Sequence, residues 1–251
     1  MKNVVLIFAG GVGSRMGSDI PKQFLEVGNK PIIIQTLELF EANERIDSVY
    51  VGCIKEYIPL LEEMIKRFNV SKIKRIYPGG SSGQDTIYRG LKTIREDYEK
   101  ANVLIHDGVR PLVSEDTIDK VIDDVESYGT SIVVTPAFET PIVSYDGKNV
   151  SAMPERRIVY TAQAPQAFRL NDILNWHELE RLNENPYNGI VDSCGLAFKN
   201  GINCHLTEGN RGNIKVTTDD DYLSLIANNM VDDVSKLLEI RTKKKSKKKE
   251  S

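Results

Sequence analysis

The chain alternates. Short apolar runs at 3–9, 48–54, 73–77, 102–106, 131–135 and 202–206 are separated by stretches with helical periodicity. Pro31 stands at a first helical position, and Ile33, Leu37 and Phe40 follow on one face. Further amphipathic stretches cover 56–68, 85–97 and 115–127. Strand–helix alternation at this spacing predicts an α/β fold, a mostly parallel sheet with helices on both faces. In such a sheet, ligands sit at the carboxyl ends of the strands. A chain of 251 residues is enough for one such domain.

One segment breaks the rhythm. Between 137 and 162 the text is rich in β-formers, with Asp146-Gly147 between them, which is a hairpin signal. A hairpin inserted into a parallel α/β domain projects from it, and its Ile, Val and Tyr need a surface to cover them. A partner subunit is the obvious one; the plainer alternative is a hairpin packed on its own domain. The expected organisation is one domain over 1–136 and 163–230, a β-arm over 137–162, and a helix end with a Lys-rich tail over 231–251.

The net charge of −3 hides two parts. Residues 243–250 carry six Lys and one Glu; without them 33 basic and 36 acidic residues become 27 and 35, a net of −8. The body is therefore no general polyanion binder, nucleic acid is not an expected partner, and any phosphate site must be local. The tail reads as a solvated, disordered end. No apolar run reaches the ~18 residues of a membrane span, and the start lacks the pattern of a secretory signal. Cys53, Cys194 and Cys204 have no metal-ligand spacing, and so sparse a set suits a reducing cytoplasm.

The chemistry is concentrated in a few segments. The first apolar run leads into Ala9-Gly10-Gly11-Val12-Gly13-Ser14-Arg15-Met16-Gly17, then Pro21-Lys22-Gln23. A glycine-rich turn at a strand's carboxyl end lets backbone N–H groups approach a polyphosphate. Arg15 and Lys22 beside it imply chemistry on that polyphosphate, and Pro21 fixes the backbone just before Lys22. The turn is neither the dinucleotide fingerprint, which would need Gly at Met16, nor a P-loop, since no Gly-Lys-Ser/Thr follows. For Gly-Gly-x-Gly alone, a turn required only by chain geometry is an equal reading; the two cations weigh against it.

Ile105-His106-Asp107-Gly108-Val109-Arg110-Pro111 ends another predicted strand. Asp107 there could hold Mg²⁺, which takes one or two carboxylates plus phosphates; Gly108 leaves room for a ligand, and Arg110 could grip a phosphate bidentately. A structural Asp–Arg pair is the alternative. Gly79-Gly80-Ser81-Ser82-Gly83-Gln84-Asp85-Thr86 follows a third strand, suiting a base or ribose against the backbone with the Ser81 and Thr86 hydroxyls available, or simply a capped strand–helix loop. Late in the chain, Lys215 precedes Thr217-Thr218 and three Asp, a helix start with its own cap. Asp192-Ser193-Cys194 has no His placed for nucleophilic catalysis, and Cys194 reads as a small buried residue.

Together the segments resemble the nucleotidyltransferase family that makes CDP-alcohols from CTP and polyol phosphates. Ala-Gly-Gly-x-Gly-x-Arg-Met-Gly, Pro-Lys-Gln-Phe-Leu, His-Asp-Gly-x-Arg-Pro, Pro-Gln-x-Phe and Asn-Ile-Lys-Val-Thr occur in order between Ala9 and Tyr222. The resemblance implies a Rossmann-like nucleotidyltransferase sheet, a projecting arm and a homodimer. It implies that Arg15 and Lys22 stabilise the α-phosphate under attack, with Ala9, Gly10, Gly11, Gly13 and Lys215 around the phosphates and Mg²⁺ on Asp107. Gly80, Ser81, Thr86 and Gly108 fall where the family contacts cytosine and ribose. Arg110, Thr140 and Arg156 fall at polyol-phosphate positions, Arg156 reaching the partner's site from the arm.

The chain departs from the methylerythritol-type branch of that family at three places. An Arg two residues beyond a position like Ser81 is Gly83; a Thr before Pro-Gln is Ala164; a Thr before the Asp of a late helix is Val191. The last two lie where that branch holds its branched tetritol, and losing a matched hydroxyl costs about 1–3 kcal/mol. Gly-Ile-Val-Asp-Ser-Cys also reads closer to the ribitol-type branch. The expected reaction is therefore cytidylyl transfer from CTP to D-ribitol 5-phosphate. The rivals are the same transfer to 2-C-methyl-D-erythritol 4-phosphate, a sugar-1-phosphate nucleotidyltransferase, and a catalytically silent nucleotide-binding scaffold.

Overall fold

The computed structural model describes residues 1–11 and 20–230; Gly13, Arg15 and the tail 231–251 lie outside the described residues. In chain order the elements are β1 (Lys2–Ala9), β2 (Glu26–Val27), β3 (Lys30–Pro31), α1 (Ile32–Ala42), β4 (Ser48–Cys53), α2 (Ile58–Arg67), β5 (Ile73–Pro78) and α3 (Gly83–Asp97). Then come β6 (Ala101–Asp107), α4 (Glu115–Tyr128), β7 (Thr130–Pro136), β8 (Tyr160–Arg169), α5 (Leu170–Glu180), α6 (Ser193–Lys199) and β9 (Leu206–Glu208). A last helical stretch occupies 219–230.

Seven strands form the central sheet in the order β5-β4-β1-β6-β8-β7-β9. All neighbours run parallel except β8, which is antiparallel to both β6 and β7. The first four strands are the expected ones, and their apolar residues alternate between two cores. Val5 and Ile7 of β1 pack with Leu37, Val121 and Val125 on the face of α1, α2 and α4. Val4 and Leu6 pack with Leu91, Ile94 and Trp176 on the face of α3, α5 and α6. Burial on both faces is what makes β1 and β4 predominantly apolar, while the edge strand β5 carries Lys74 and Arg75.

After β7 the sequence pattern no longer predicts the strands. β8, Tyr-Thr-Ala-Gln-Ala-Pro-Gln-Ala-Phe-Arg, carries little β-branched character; it is a strand because β6 and β7 hold it on both sides. Its Pro165 falls at the register shift opposite Ile132 and Val134, where the ladder is already interrupted. Tyr160, Thr161 and Ala162 pair with Pro136, Thr135 and Val134, so the sheet takes back three residues expected in the arm. The strand expected at 202–206 lies at Leu206–Glu208, paired with β7. Cys194, expected buried, is only half-buried.

The segment 137–159 leaves the sheet. Val143 and Ala152 form an isolated antiparallel bridge. The turn between them is held by Asp146, whose carboxylate accepts the N–H groups of Lys148 and Asn149 at 2.9 and 2.8 Å, while Gly147 takes φ +69°. Ile142, Tyr145, Val150, Met153 and Ile158 are exposed along this segment.

Candidate active site

The chain steps from β1 outward to β4 and β5, then α3 carries it back to β6 on the other side of β1. The carboxyl ends of β1 and β6 therefore flank a topological switch point, where α/β sheets bind ligands. Asp107 and Gly108 are brought beside the glycine turn, and the Gly108 N–H donates to the Phe8 carbonyl at 3.2 Å. An open cleft of ≈ 560 Å³ lies there. Gly10, Gly11 and Lys22 line one side and Gly80, Ser81 and Thr86 the other, with Asp107 and Lys215 at its end. Lys22 opens a short 3-10 turn, Lys22–Phe24, pinned by the buried Gln23 amide donating to the Ala9 carbonyl at 2.8 Å. Phe24 stacks on Tyr57 with ring centroids 5.1 Å apart, which anchors the turn from behind.

The loop after β5 is shaped by hydrogen bonds within itself. The Gly80 N–H donates to the Thr86 hydroxyl at 2.9 Å, and that hydroxyl donates to the Ser82 carbonyl at 2.9 Å. Thr86, expected to offer its hydroxyl to the nucleoside, thus also uses it to hold the loop. The Ser81 N–H donates to Asp85 Oδ2 at 3.1 Å, and Asp85 is gripped by Arg89 and Arg181 at 3.1 and 2.9 Å. Burial opposes ionisation of Asp85, but the Ser81 N–H and the two guanidinium groups prevail, and its carboxyl lies below the ordinary value. A Cβ on Gly80 would fall inside the Asp85 carboxylate, so glycine is required there. Gly108 differs from expectation as well. A Cβ there would meet Ile33 Cδ1 at 2.8 Å and Ala9 Cβ at 2.9 Å, so this glycine serves the packing of α1 under the strand ends rather than a passage for ligand.

Asp107 is the electrostatic centre. Its Oδ1 lies 2.5 Å from Lys215 Nζ, and its Oδ2 accepts from Arg110 Nε at 2.8 Å. Burial raises the carboxyl's pKa; Lys215 and Arg110 outweigh that, and the net shift is downward, so Asp107 is ionised. Arg110 is fixed further by donating to the Asn213 carbonyl at 2.8 Å. Behind Lys215, Thr218 and Asp221 form a reciprocal cap: Asp221 Oδ2 accepts the N–H groups of Thr217 and Thr218, and the Thr218 hydroxyl accepts the Asp221 N–H.

A second, smaller cavity of ≈ 200 Å³ adjoins the cleft, sharing Phe8, Asp107 and Lys215 with it. Arg110 and Ala164 line it, and Val191, 93% exposed, stands at its rim. The structure therefore gathers Ala9, Gly10, Gly11, Lys22, Gly80, Ser81, Thr86, Asp107, Arg110, Ala164, Val191 and Lys215 into two joined cavities. Thr140 and Arg156 are not among them: both are exposed on the arm, where Arg156 donates to the Phe138 carbonyl at 3.2 Å. Sequence reasoning passed over Gln84, Asp85, Gln166 and Ser193 as site residues. Only Asp85 carried a local signal, as an acid in the first turn of a helix.

Asp107 suits Mg²⁺ chemically: it is a hard, ionised oxygen donor facing the phosphate cleft. Among the described residues no group of three or more His, Cys, Asp or Glu gathers.

Backbone amides at a switch point, flanked by cations and one buried carboxylate, are equipped to hold a triphosphate and neutralise charge as it moves. Fold and site together define a nucleotidyltransferase. More narrowly, the chain belongs to the 2-C-methyl-D-erythritol 4-phosphate cytidylyltransferase (IspD) family, whose model matches residues 3–232. It is 43% identical over 222 residues to ribitol-5-phosphate cytidylyltransferase of Vibrio parahaemolyticus, covering 88% of this chain and 92% of that one. It is 36% identical over 223 residues to 2-C-methyl-D-erythritol 4-phosphate cytidylyltransferase of Clostridium botulinum, covering 88% and 95%. The fold matches the crystal structure of 4-diphosphocytidyl-2C-methyl-D-erythritol synthase from Anaerococcus prevotii with a TM-score of 0.78 at 24% identity, covering 91% and 96%. Among the described residues no helix is long and apolar enough to cross a membrane.

Proposed function

We propose that this cytidylyltransferase joins CTP to D-ribitol 5-phosphate, giving CDP-ribitol and pyrophosphate. The observation that carries the acceptor is Ala164: it lines the small cavity beside Arg110, at a position where the methylerythritol-type branch has a hydroxyl. Val191 at the rim makes the same exchange. The 43% identity to a ribitol-type relative, against 36% to a methylerythritol-type one, points the same way.

In the reaction a phosphate oxygen of the acceptor attacks the α-phosphorus of CTP in line, and pyrophosphate leaves. The acceptor phosphate is largely dianionic near neutral pH (second pKa about 6 for a phosphate monoester), so no protein base is needed. Catalysis rests on positioning and charge neutralisation. The amides of Gly10 and Gly11 cradle the triphosphate, Lys22 and Arg15 neutralise the α-phosphoryl oxygens, and Arg110 holds the acceptor phosphate. Lys215, paired with Asp107, adds positive charge for the phosphates; Asp107 would hold Mg²⁺, which would supply further charge neutralisation. Thr140 and Arg156 act from the arm in the partner's site of a homodimer, and the enzyme works in the cytoplasm.

The deciding experiment is pyrophosphate release from CTP with each polyol phosphate in parallel. Turnover with D-ribitol 5-phosphate at least tenfold above 2-C-methyl-D-erythritol 4-phosphate is expected; the reverse order overturns the acceptor.

A further inference from the structure

The small cavity has a polarity that the phosphate chemistry leaves unused. One end is cationic, with Arg110 and Lys215 around Asp107. Elsewhere in its lining two buried oxygens, Gln84 Oε1 and Ser193 Oγ, have no hydrogen-bond partner among the described residues. Gln84 is 6% exposed and Ser193 1% exposed, so each oxygen meets a ligand in the cavity only after a small rotation of its side chain. Their neighbour Gln166 shows the contrast. It lines the same wall, yet its amide nitrogen donates to Asp192 Oδ2 at 2.9 Å and its oxygen accepts from the Cys194 N–H at 2.9 Å. Gln166 is a strut, with its side-chain hydrogen bonds spent on tying β8 to the start of α6. Gln84 Oε1 and Ser193 Oγ are tied to nothing.

Buried polar atoms in native proteins are overwhelmingly paired, and an orphan bordering a cavity is explained by what fills the cavity. The two orphans belong to different elements, α3 and α6, and both residues line this pocket. We propose that Gln84 and Ser193 are specificity residues that read the hydroxyls of the acceptor's unbranched polyol chain while Arg110 holds its phosphate. An amide oxygen accepts, and a serine hydroxyl both donates and accepts. That suits the hydroxyls along a polyol chain, and a methyl branch set against either atom would leave it unpaired. The inference rests on the acceptor proposed above. It adds where acceptor selection resides: beyond Ala164 and Val191, in two side chains that accommodate a methyl group badly and a hydroxyl well.

The test combines Gln84→Met and Ser193→Ala with a trimmed substrate. With CTP saturating, each variant raises KM for D-ribitol 5-phosphate about tenfold, with KM for CTP within about twofold and an unchanged or higher thermal midpoint, because an unpaired polar group has been removed. Wild-type enzyme discriminates about tenfold against deoxyribitol 5-phosphates that lack one chain hydroxyl, and for at least one of them the variants lose that discrimination. Wild-type activity on ribitol phosphate with unchanged KM in both variants overturns this inference and leaves the proposed reaction standing. Wild-type preference for methylerythritol phosphate overturns the acceptor itself, and this inference with it. The deoxy substrates on wild-type enzyme decide the matter even if a variant fails to fold, since equal turnover of every deoxy compound and ribitol phosphate also overturns it.

Discussion

The two joined cavities are built in opposite ways. The nucleotide cleft is made of contiguous stretches: the turn after β1, the loop after β5, the end of β6 and Lys215. The smaller cavity, proposed for the acceptor, is lined instead by side chains of regular elements, β1, α3, β6, β8 and the start of α6. A cleft made mainly of loop backbone and fixed cations handles a triphosphate whatever it is joined to. A pocket walled by strand and helix side chains is where one acceptor can be exchanged for another by few substitutions.

The largest expected effect strikes the cleft. Lys22→Ala lowers kcat about 10³-fold, near the upper end of what removing one preorganised transition-state contact costs, while the dissociation constant for CTP rises less than tenfold. Steady-state kinetics beside equilibrium CTP binding separates the two, and a pure binding defect sinks the role given to this lysine. Asp107→Asn follows. It releases Lys215 and Arg110 from their shared anchor at once, and kcat/KM for both substrates falls together by about 10²-fold. A loss confined to one substrate would mean that the two cavities do not share this carboxylate.

Smaller effects divide the regions. Gly80→Ala forces a methyl into the space of Asp85, which cannot yield without releasing Ser81, Arg89 and Arg181. KM for CTP then rises about tenfold, while KM for the acceptor stays within about twofold. Ala164→Thr with Val191→Thr does the converse. It restores two hydroxyls worth about 1–3 kcal/mol each when matched, moves selectivity toward methylerythritol phosphate by ten- to a hundredfold, and leaves CTP kinetics alone. If the double variant alters KM for CTP as strongly as for the acceptor, the division into two functional regions fails.

The same division explains what could be read from the sequence. Ala9-Gly10-Gly11, Pro21-Lys22 and His106-Asp107-Gly108 are legible because each puts its chemistry within a few residues at a strand end. The alternation of apolar runs also marks β1, β4 and β6, since burial on both faces leaves an unambiguous pattern. β8 is invisible in the sequence because its strand state comes from two neighbours and not from its own Ala, Gln and Pro. With β8 hidden, the residues alone do not say that Gln166 and the start of α6 share a cavity with Gln84; only the resemblance points to Ala164 and Val191. The packing role of Gly108 is not legible either, because whether a missing Cβ faces packing is decided by Ile33 and Ala9, far away in sequence.

The smallest effect concerns the floor beneath both cavities. His106 is fully buried next to Asp107, its ring edge-on to Phe40 at 5.0 Å. Its Nε2 lies 3.1 Å from the Arg110 carbonyl, which can only accept, so the proton sits on Nε2 and the unpartnered Nδ1 carries the lone pair. Burial pulls its pKa down to about 4, against the modest opposing pull of the Arg110 carbonyl and Asp107. His177 is likewise buried and depressed to about 3. Both are neutral in the fold, while the unfolded chain takes up protons near pH 6.5. Stability from this source is complete above about pH 6.5 and is lost as pH falls toward the folded values, by up to about 1.4 kcal/mol per pH unit for each histidine. The carboxyls of Asp85, Asp107, Glu41 and Glu180, also depressed, add to acid sensitivity below about pH 5, so between about 6.5 and 5 the histidines set the slope. Urea midpoints of the substrate-free enzyme across that window should fall with pH, and His106→Asn should remove about half of the slope. Because Arg110 is steadied from below by His106 but aligned by Asp107 and the Asn213 carbonyl, the same variant should change KM for the acceptor by no more than about threefold. A larger change would extend the acceptor pocket down into the core and blur the boundary between reading the polyol and supporting the sheet.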